Sequence, residues 1–179
     1  MQTYIALLRG INVSGQKKVP MADLRELLTQ IDFKSIQTYI QSGNVVFKSS
    51  QTDKNKLEEQ IAKRIEEHFG FLVPVLVKTS NDIQEILDDC PYPDEKMQRS
   101  YFTLLHTSPN NTLVDVVSKE VYKNESFVIS PQCVYFFSEL GYGKAKCNNN
   151  FFERKLKVSA TTRNYKTMLK LLSLSSDSN

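Results

Sequence analysis

The segment from Leu7 to Pro20, LLRGINVSGQKKVP, gathers residues that could bind a charged ligand. An apolar run stops at Arg9, and a polar loop with Asn12, two glycines and the basic pair Lys17 and Lys18 leads into a predicted helix. Backbone N–H groups at a helix start, with cationic side chains nearby, favour an anion. The alternative is a plain connection whose glycines serve only the backbone geometry.

This loop resembles a P-loop without being one. Gly10 and Gly15 have the separation of a Walker A motif, but Gln16 stands where the motif requires lysine, and no Ser or Thr follows Lys17. In a true P-loop that lysine contacts the terminal phosphates and the hydroxyl binds magnesium. The sequence therefore excludes a P-loop nucleotide site but keeps the general preference for an anion.

A second candidate is the stretch TYIQSGNVVF, which reads as two strands joined by a tight turn at Ser42-Gly43-Asn44. If Ile40 faces the helices, Tyr39 and Gln41 lie on the opposite face of the sheet. With Ser42 and Asn44 they would form a wall of neutral hydrogen-bonding groups. The alternative is a hairpin turn with one exposed aromatic ring.

Two further candidates lie in the C-terminal third, where residues 140–170 hold eight basic residues and one acid. One is the basic loop GYGKAK, which includes Lys144. The other is ATTRN, where Thr161 or Thr162 can cap a helix. Arg163 and Asn164 would then lie at the helix start, where a cation opposes the macrodipole. A bound anion or a structural ion pair would explain that arginine.

Other chemistries find little support. His68 and His106 lie in no metal-ligand spacing, and the three widely separated cysteines suggest idle thiols in a reducing cytosol, so we expect no metal and no cofactor. The motif stretches offer no general base near neutral pH. The apolar runs are too short to span a membrane. The net charge of +3 is spread unevenly, with an acidic middle between two basic ends.

Periodicity predicts an α+β fold of two ferredoxin-like βαββαβ units with antiparallel sheets, the second less regular. Residues 1–89 form the first unit, 90–99 a linker, 100–172 the second unit and 173–179 a disordered tail. In the first unit the predicted strands and helices are Thr3–Leu8, a helix from Pro20, Ile36–Gln41, Asn44–Lys48, Asp53–Phe69 and Leu72–Lys78, followed by a helix at Ser80–Asp88. In the second they are Ser100–His106, Asn111–Lys119, Ser126–Ser130, Cys133–Ser138, Phe151–Lys157 and a helix after Thr162.

Three stretches together resemble the bacterial domain-of-unknown-function 1697 family: Tyr4–Leu28, Thr38–Phe47 and Asn149–Leu171. The family pattern usually has glycine where Ser14 stands and tryptophan where Tyr165 stands. The resemblance implies a cytoplasmic protein built from two ferredoxin-like units, and it implies no activity.

The residues themselves favour a binding module for a phosphate-bearing or other anionic small molecule at a cleft between the units. The expected ligand-binding residues are Arg9, Asn12, Lys17, Lys18, Tyr39, Gln41, Ser42, Asn44, Lys144, Thr162, Arg163 and Asn164. One alternative is an enzyme acting on a small phosphorylated or carboxylated metabolite. The other, less favoured, is a nucleic-acid-binding protein whose affinity would fall steeply with salt.

Overall fold

A computed structural model describes residues 1–176 of the chain. It divides into two units, Met1–Gln84 with residues 170–176, and Glu85–Leu169. Among the described residues, no helix is both long and apolar enough to cross a membrane.

The first unit has the order β-α-β-β-α-β. Its elements are β1 (Gln2–Leu8), α1 (Met21–Thr29), β2 (Lys34–Tyr39), β3 (Asn44–Ser49), α2 (Lys54–Phe69) and β4 (Val75–Lys78). The strands form an antiparallel sheet in the order β2-β3-β1-β4. This is the ferredoxin-like arrangement, so the predicted fold class is confirmed.

Alternation along the strands and helical periodicity build the core of this unit. Tyr4 and Ala6 of β1 point toward the helices and are fully buried. On α2, Leu57 and Ile61 lie one turn apart and are also fully buried. The side chain of Asp53 accepts hydrogen bonds from two N–H groups of the first turn, which fixes where α2 begins.

The second unit repeats the same order. Its elements are β5 (Tyr101–Leu105), α5 (Asn111–Val117), β6 (Glu125–Ile129), β7 (Cys133–Ser138), α6 (Asn149–Leu156) and β8 (Ala160–Asn164). The sheet order β6-β7-β5-β8 matches that of the first unit strand for strand. The Asn148 side chain caps α6 by accepting from the Phe151 N–H at 3.1 Å.

Three further helices lie outside the two repeats: α3 (Ser80–Asp88), α4 (Asp94–Gln98) and α7 (Tyr165–Ser176). Helix α4 lies in the segment predicted to be a linker. A helix can form there because its first turn, which follows Pro93, is acidic and so complements the helix dipole. Helix α7 continues through residues 173–176, where the sequence predicts a tail, and Leu171 and Ser175 are buried. The rest of that predicted tail lies outside the described residues.

The topology decides which connections meet. In each repeat the first strand ends, and the hairpin turns, at the same end of the sheet. The second helix also finishes at this end, just before the last strand begins. In the first unit, residues 9–20, 40–43 and 70–74 therefore share one end, which we call the loop end. The connection after the third strand, residues 139–148 in the second unit, lies at the opposite end of its own sheet.

Candidate functional site

The long loop between β1 and α1 is closed by one asparagine. The Asn12 side chain donates to the Val19 carbonyl at 2.9 Å and accepts from the Val19 N–H at 2.8 Å. The Asn12 N–H also donates to the Lys17 carbonyl at 3.1 Å. Two parts of the loop are thereby held together, so it is an ordered structure rather than a slack connection.

The backbone of this loop is in the left-handed region at five positions. Gly10 and Gly15 have φ of 70° and 74°, and Asn12, Ser14 and Lys17 have φ of 55°, 50° and 44°. Asparagine and glycine tolerate that conformation, whereas serine and lysine adopt it at a cost. The glycine that the related pattern carries in place of Ser14 is explained by this geometry.

Hydrogen bonds join the loop to its neighbours at the loop end. The second N–H of the Asn12 amide donates to the Gln41 carbonyl at 2.8 Å, which ties the loop to the β2–β3 hairpin. The Lys17 ammonium donates to the Leu72 carbonyl at 2.8 Å, and the Arg9 N–H to the Pro74 carbonyl at 3.0 Å. Two stretches that the sequence singled out independently are thus in direct contact.

The hairpin presses closely on the end of β1. The Leu8 N–H donates to the Gly43 carbonyl at 2.8 Å. A Cβ on Gly43 would lie 2.6 Å from the Leu8 Cβ and 2.8 Å from the Ile11 Cδ1, and its φ is 78°. Asn44 is fully buried and donates to the Tyr39 carbonyl and the Ser42 hydroxyl, both at 2.9 Å. Glycine and asparagine here are therefore explained by packing and turn geometry.

Ile40 does not meet the condition that would place both Tyr39 and Gln41 on the open face of the sheet. Strand β2 ends at Tyr39, and Ile40 begins the turn with φ of 50° and a 51% exposed side chain, so it does not face the helices. Tyr39 pairs with Asn44, whose neighbour Val45 points into the helix-facing core. Tyr39 therefore does lie on the other face, where it is half-buried, while Gln41 is exposed in the turn.

Three cationic residues lie at the loop end. Lys17 and Lys18 are exposed and the Arg9 side chain is half-buried. The segments 9–20, 40–43 and 70–74 contain no Asp or Glu, and the first turn of α1 contributes one acid, Asp23. Lysine offers three N–H donors, so Lys17 can contact a ligand while bound to the Leu72 carbonyl.

The basic loop of the second unit is built differently. It contains a short 3₁₀ turn, Tyr142–Lys144, and Lys144 is exposed. The Glu125 carboxylate accepts from the N–H groups of Lys146 and Cys147 at 2.8 and 2.9 Å. The backbone donors of this loop that could hold an anion already bind a carboxylate of the protein.

ATTRN is an edge strand, β8, and not the start of a helix. This corrects the predicted cap at Thr161 or Thr162: the Asn164 side chain instead accepts from the Thr167 N–H at 2.8 Å. The Thr162 hydroxyl is hydrogen-bonded to the Thr103 hydroxyl at 2.8 Å and donates to the Asn149 side chain at 2.9 Å. These contacts explain Thr162 as a link between β5, β8 and α6.

Arg163 lies in that strand, paired with Phe102, and is only 8% exposed. Its guanidinium donates to the Thr161 hydroxyl and to the Thr162 carbonyl, each at 2.9 Å. Burial lowers its pKa to about 10, so it stays cationic at neutral pH. Arg163 lies two residues before α7 begins, and its guanidinium is held by acceptors of its own strand.

The structure also places a groove that the sequence did not indicate. An open groove of about 620 Å³ lies beside α5 and the end of α6, lined by Thr107, Ser108, Asn110, Thr112, Leu113, Leu156, Lys157 and Val158. None of the predicted site residues lines it. Within residues 1–176, no group of three or more His, Cys, Asp or Glu could hold a metal ion.

Two consecutive ferredoxin-like units with antiparallel sheets define the fold class. The chain belongs to the family described as "Protein of unknown function (DUF1697)", whose model matches residues 1–135. It is also similar to a conserved bacterial protein from Streptococcus pneumoniae of known structure. The two are 27% identical, with a TM-score of 0.74 over 97% of this chain and 98% of that one. No curated protein sequence matches.

The family match confirms the resemblance seen in the sequence. Two of its stretches, Tyr4–Leu28 and Thr38–Phe47, lie within the matched residues, and Asn149–Leu171 lies beyond them. Neither description states an activity, so function has to be argued from the loop end and its residues.

Proposed function

We propose that this protein is a binding module that holds the anionic group of a ligand at the loop end of its first unit. The contact between Asn12 and the Gln41 carbonyl carries the proposal, because it joins the basic loop to the polar hairpin. Lys17 and Lys18 would supply charge, and Gln41 and Ser42 neutral hydrogen bonds. A phosphate or carboxylate is the ligand group that such a set favours.

Electrostatics support this assignment. The three segments of the loop end carry three cations and no acid. The order that Asn12 gives the loop means that part of the conformational entropy of binding is lost already during folding. Lys144 and Arg163 belong to the second unit, and their convergence with the loop end on one ligand stays a prediction. The enzyme and nucleic-acid alternatives also stay predictions.

A titration of the full chain with inorganic phosphate and pyrophosphate tests the proposal. We expect the amide resonances of Gly10, Gly15 and Gln41 to shift with ligand concentration. Replacing a charge-assisted contact should weaken binding roughly tenfold, so Lys18→Ala should raise the dissociation constant by that factor. Lys63→Ala is the matched control, since Lys63 is an exposed lysine on α2, 3.9 Å from Glu67.

Two results would contradict the proposal. One is saturable phosphate binding that Lys18→Ala and Lys63→Ala weaken equally, which would indicate only diffuse attraction to positive charge. The other is the absence of any loop-end shift while amides of the second unit respond. Either would remove the loop end as the site of the anion.

A further inference from the structure

Each of the three segments at the loop end carries one exposed aliphatic side chain. Val13 is 59% exposed, Ile40 51% and Leu72 64%. Each belongs to a different one of the three segments that meet there. Single exposed apolar residues are ordinary, but a group of them gathered from separate segments marks an interaction surface.

Hydrogen bonds fix these three positions relative to one another. Val13 follows Asn12, and Ile40 precedes Gln41, so the 2.8 Å bond between the Asn12 amide and the Gln41 carbonyl joins the two segments that carry these aliphatic residues. Leu72 joins the same surface through its carbonyl, which accepts from the Lys17 ammonium at 2.8 Å. The three segments that carry the aliphatic residues are therefore held together by the fold.

Ile40 occupies a conformation that its side chain disfavours. A β-branched residue with φ of 50° is an outlier, because glycine or asparagine fits the left-handed region far better. Burial does not compensate, since half of the side chain is exposed. An outlier of this kind at a ligand-binding end points to a requirement for the isoleucine itself.

Charge tells which partner such a surface fits. Arg9, Lys17 and Lys18 all lie on the segment that carries Val13, and none of the three segments holds an acid. The nearest acids along the chain are Asp23 in the first turn of α1 and Glu67 near the end of α2, and the latter is already paired with Lys63 and Arg64. A complementary partner carries carboxylates beside aliphatic groups.

We propose that the loop end is a docking surface for an acidic protein segment whose aliphatic side chains pack on Val13, Ile40 and Leu72. This rests on the proposed function, because the carboxylates of the segment are the anionic groups that Lys17 and Lys18 bind. The proposal goes further in naming a protein segment as the ligand.

Two other anionic partners fit less well. Nucleic acid binding relies on aromatic platforms for the bases, and the exposed apolar side chains here are aliphatic. A lipid surface is bound through a large apolar area, and even a whole acyl chain gives only marginal anchoring. Three partly exposed side chains offer a smaller apolar area than that, whereas their fixed arrangement suits a peptide.

Selection from a random library of peptides of about 12 residues, with the full chain as bait, tests this docking surface. We expect the selected peptides to combine Asp or Glu with Leu, Ile or Val. Ile40→Asn and Leu72→Ser should each weaken their binding about tenfold. Val116→Ser is the matched control, since Val116 is 57% exposed on α5 of the second unit and should leave affinity unchanged.

A second readout separates docking from a structural role. Ile40→Asn should raise the melting temperature while it weakens peptide binding, because asparagine relieves the left-handed strain. A structural isoleucine would give a lower melting temperature instead, which would overturn the proposal. Selected peptides without acidic residues, or equal binding by Ile40→Asn and Val116→Ser, would overturn it as well.

The outcomes also distinguish this inference from the proposed function. Phosphate binding that depends on Lys18, with no acidic-aliphatic peptide selected, would refute the docking surface and leave the anion site standing. Selected peptides whose affinity is unchanged in Lys18→Ala would refute the docking surface, and phosphate binding that is also unchanged in Lys18→Ala would refute both. Binding of vesicles of phosphatidylcholine and phosphatidylserine at about seven to three, or of a single-stranded oligonucleotide, more tightly than any selected peptide would overturn the choice of partner.

Discussion

The two units share a strand order but extend different connections. In the first, the connection after β1 runs over residues 9–20 and meets the hairpin, while the corresponding connection in the second, residues 106–110, is short. The second unit instead extends the connection after β7, residues 139–148, at the opposite end of its sheet. Two loops that look alike in sequence, both basic and glycine-containing, therefore occupy different places in the repeat.

Their internal chemistry differs as well. The first loop is closed by a neutral side chain, Asn12, and keeps its lysines exposed around the closure. The second is closed by an anion, since Glu125 accepts from two of its backbone N–H groups. A basic, glycine-containing loop thus indicates an anion site only when the protein does not fill it with its own carboxylate.

A feature that the units share is how their edge strands are capped. In the first, Glu58 of α2 accepts from the Val77 N–H of β4 at 2.8 Å. In the second, Glu153 of α6 accepts from the Ala160 N–H of β8 at 2.9 Å. An exposed strand edge can pair with another chain, and a helix carboxylate that covers one of its donors reduces that tendency.

The largest effect should come from filling the contact between hairpin and β1 in the first unit. Gly43→Ala puts a Cβ 2.6 Å from the Leu8 Cβ and imposes a left-handed alanine. Overpacking and backbone strain together should lower the free energy of unfolding by about 3 kcal/mol. Chemical denaturation of the full chain measures this.

Gly70→Ala is the control for that change. Gly70 has nearly the same φ, 79°, but nothing lies within 4 Å of its added Cβ, so only the backbone cost of about 1 kcal/mol should remain. If the two alanines destabilise equally, the hairpin is not pressed on β1 as the distances indicate.

Removal of the Asn12 side chain should have the next largest effect. Asn12→Gly keeps the left-handed backbone but loses three hydrogen bonds, and we expect a loss of about 2 kcal/mol. Amide exchange at Val19 should accelerate, because its N–H loses its acceptor. Ser14→Gly, two residues away at φ of 50°, should cause no loss of stability; a loss of similar size would mean that any glycine loosens the loop.

The sequence predicts the architecture well because hydrophobic periodicity and turn residues are local signals. The helices α2 and α3 and the strand β7 begin and end within a residue of their predicted bounds. The strand β8 was missed because ATTRN is polar, and its threonines satisfy helix-cap and strand preferences equally. Only pairing with β5, which places Thr162 beside Thr103, decides between them.

The candidate site was predicted only in its composition. Its lysines, Asn12 and the hairpin are visible in the sequence, and their contact follows from the ferredoxin-like order. The carboxylate of Glu125 was not predictable, since it lies about twenty residues before the loop that it fills. The side-chain alternation of a strand does not place Ile40, because β2 ends at Tyr39 and Ile40 already belongs to the turn.

Alkaline pH should act mainly on the second unit. A hydrogen bond to Glu120 raises the pKa of Tyr122 to about 12, and burial raises the pKa of Cys147 to about 12. A group whose pKa is raised by folding stabilises the protein fully below its unfolded value and loses that contribution as the pH rises through the folded value. The contributions of these two groups to stability should therefore be lost between about pH 9 and pH 12.

Urea midpoints across that range check the assignment. Tyr122→Phe, which removes the raised titration of the phenol, should show a shallower fall than the wild type. If the slope is the same in Tyr122→Phe and in the wild type, Tyr122 does not cause the alkaline loss.

The smallest effect should come from giving α6 the same C-terminal residue type as α2, the corresponding helix of the first unit. Helix α2 ends at Gly70 with φ of 79°, whereas α6 ends at Lys157, a side-chain-bearing residue with φ of 55°. Glycine is favoured at that position because it has no Cβ to clash, so Lys157→Gly should raise the free energy of unfolding by about 0.5–1 kcal/mol. The control Lys166→Gly, within the first turn of α7, should lower it by about the same amount, because glycine weakens a helix. A loss of stability in Lys157→Gly would instead show that the contacts of the lysine side chain stabilise the protein by more than its left-handed backbone costs.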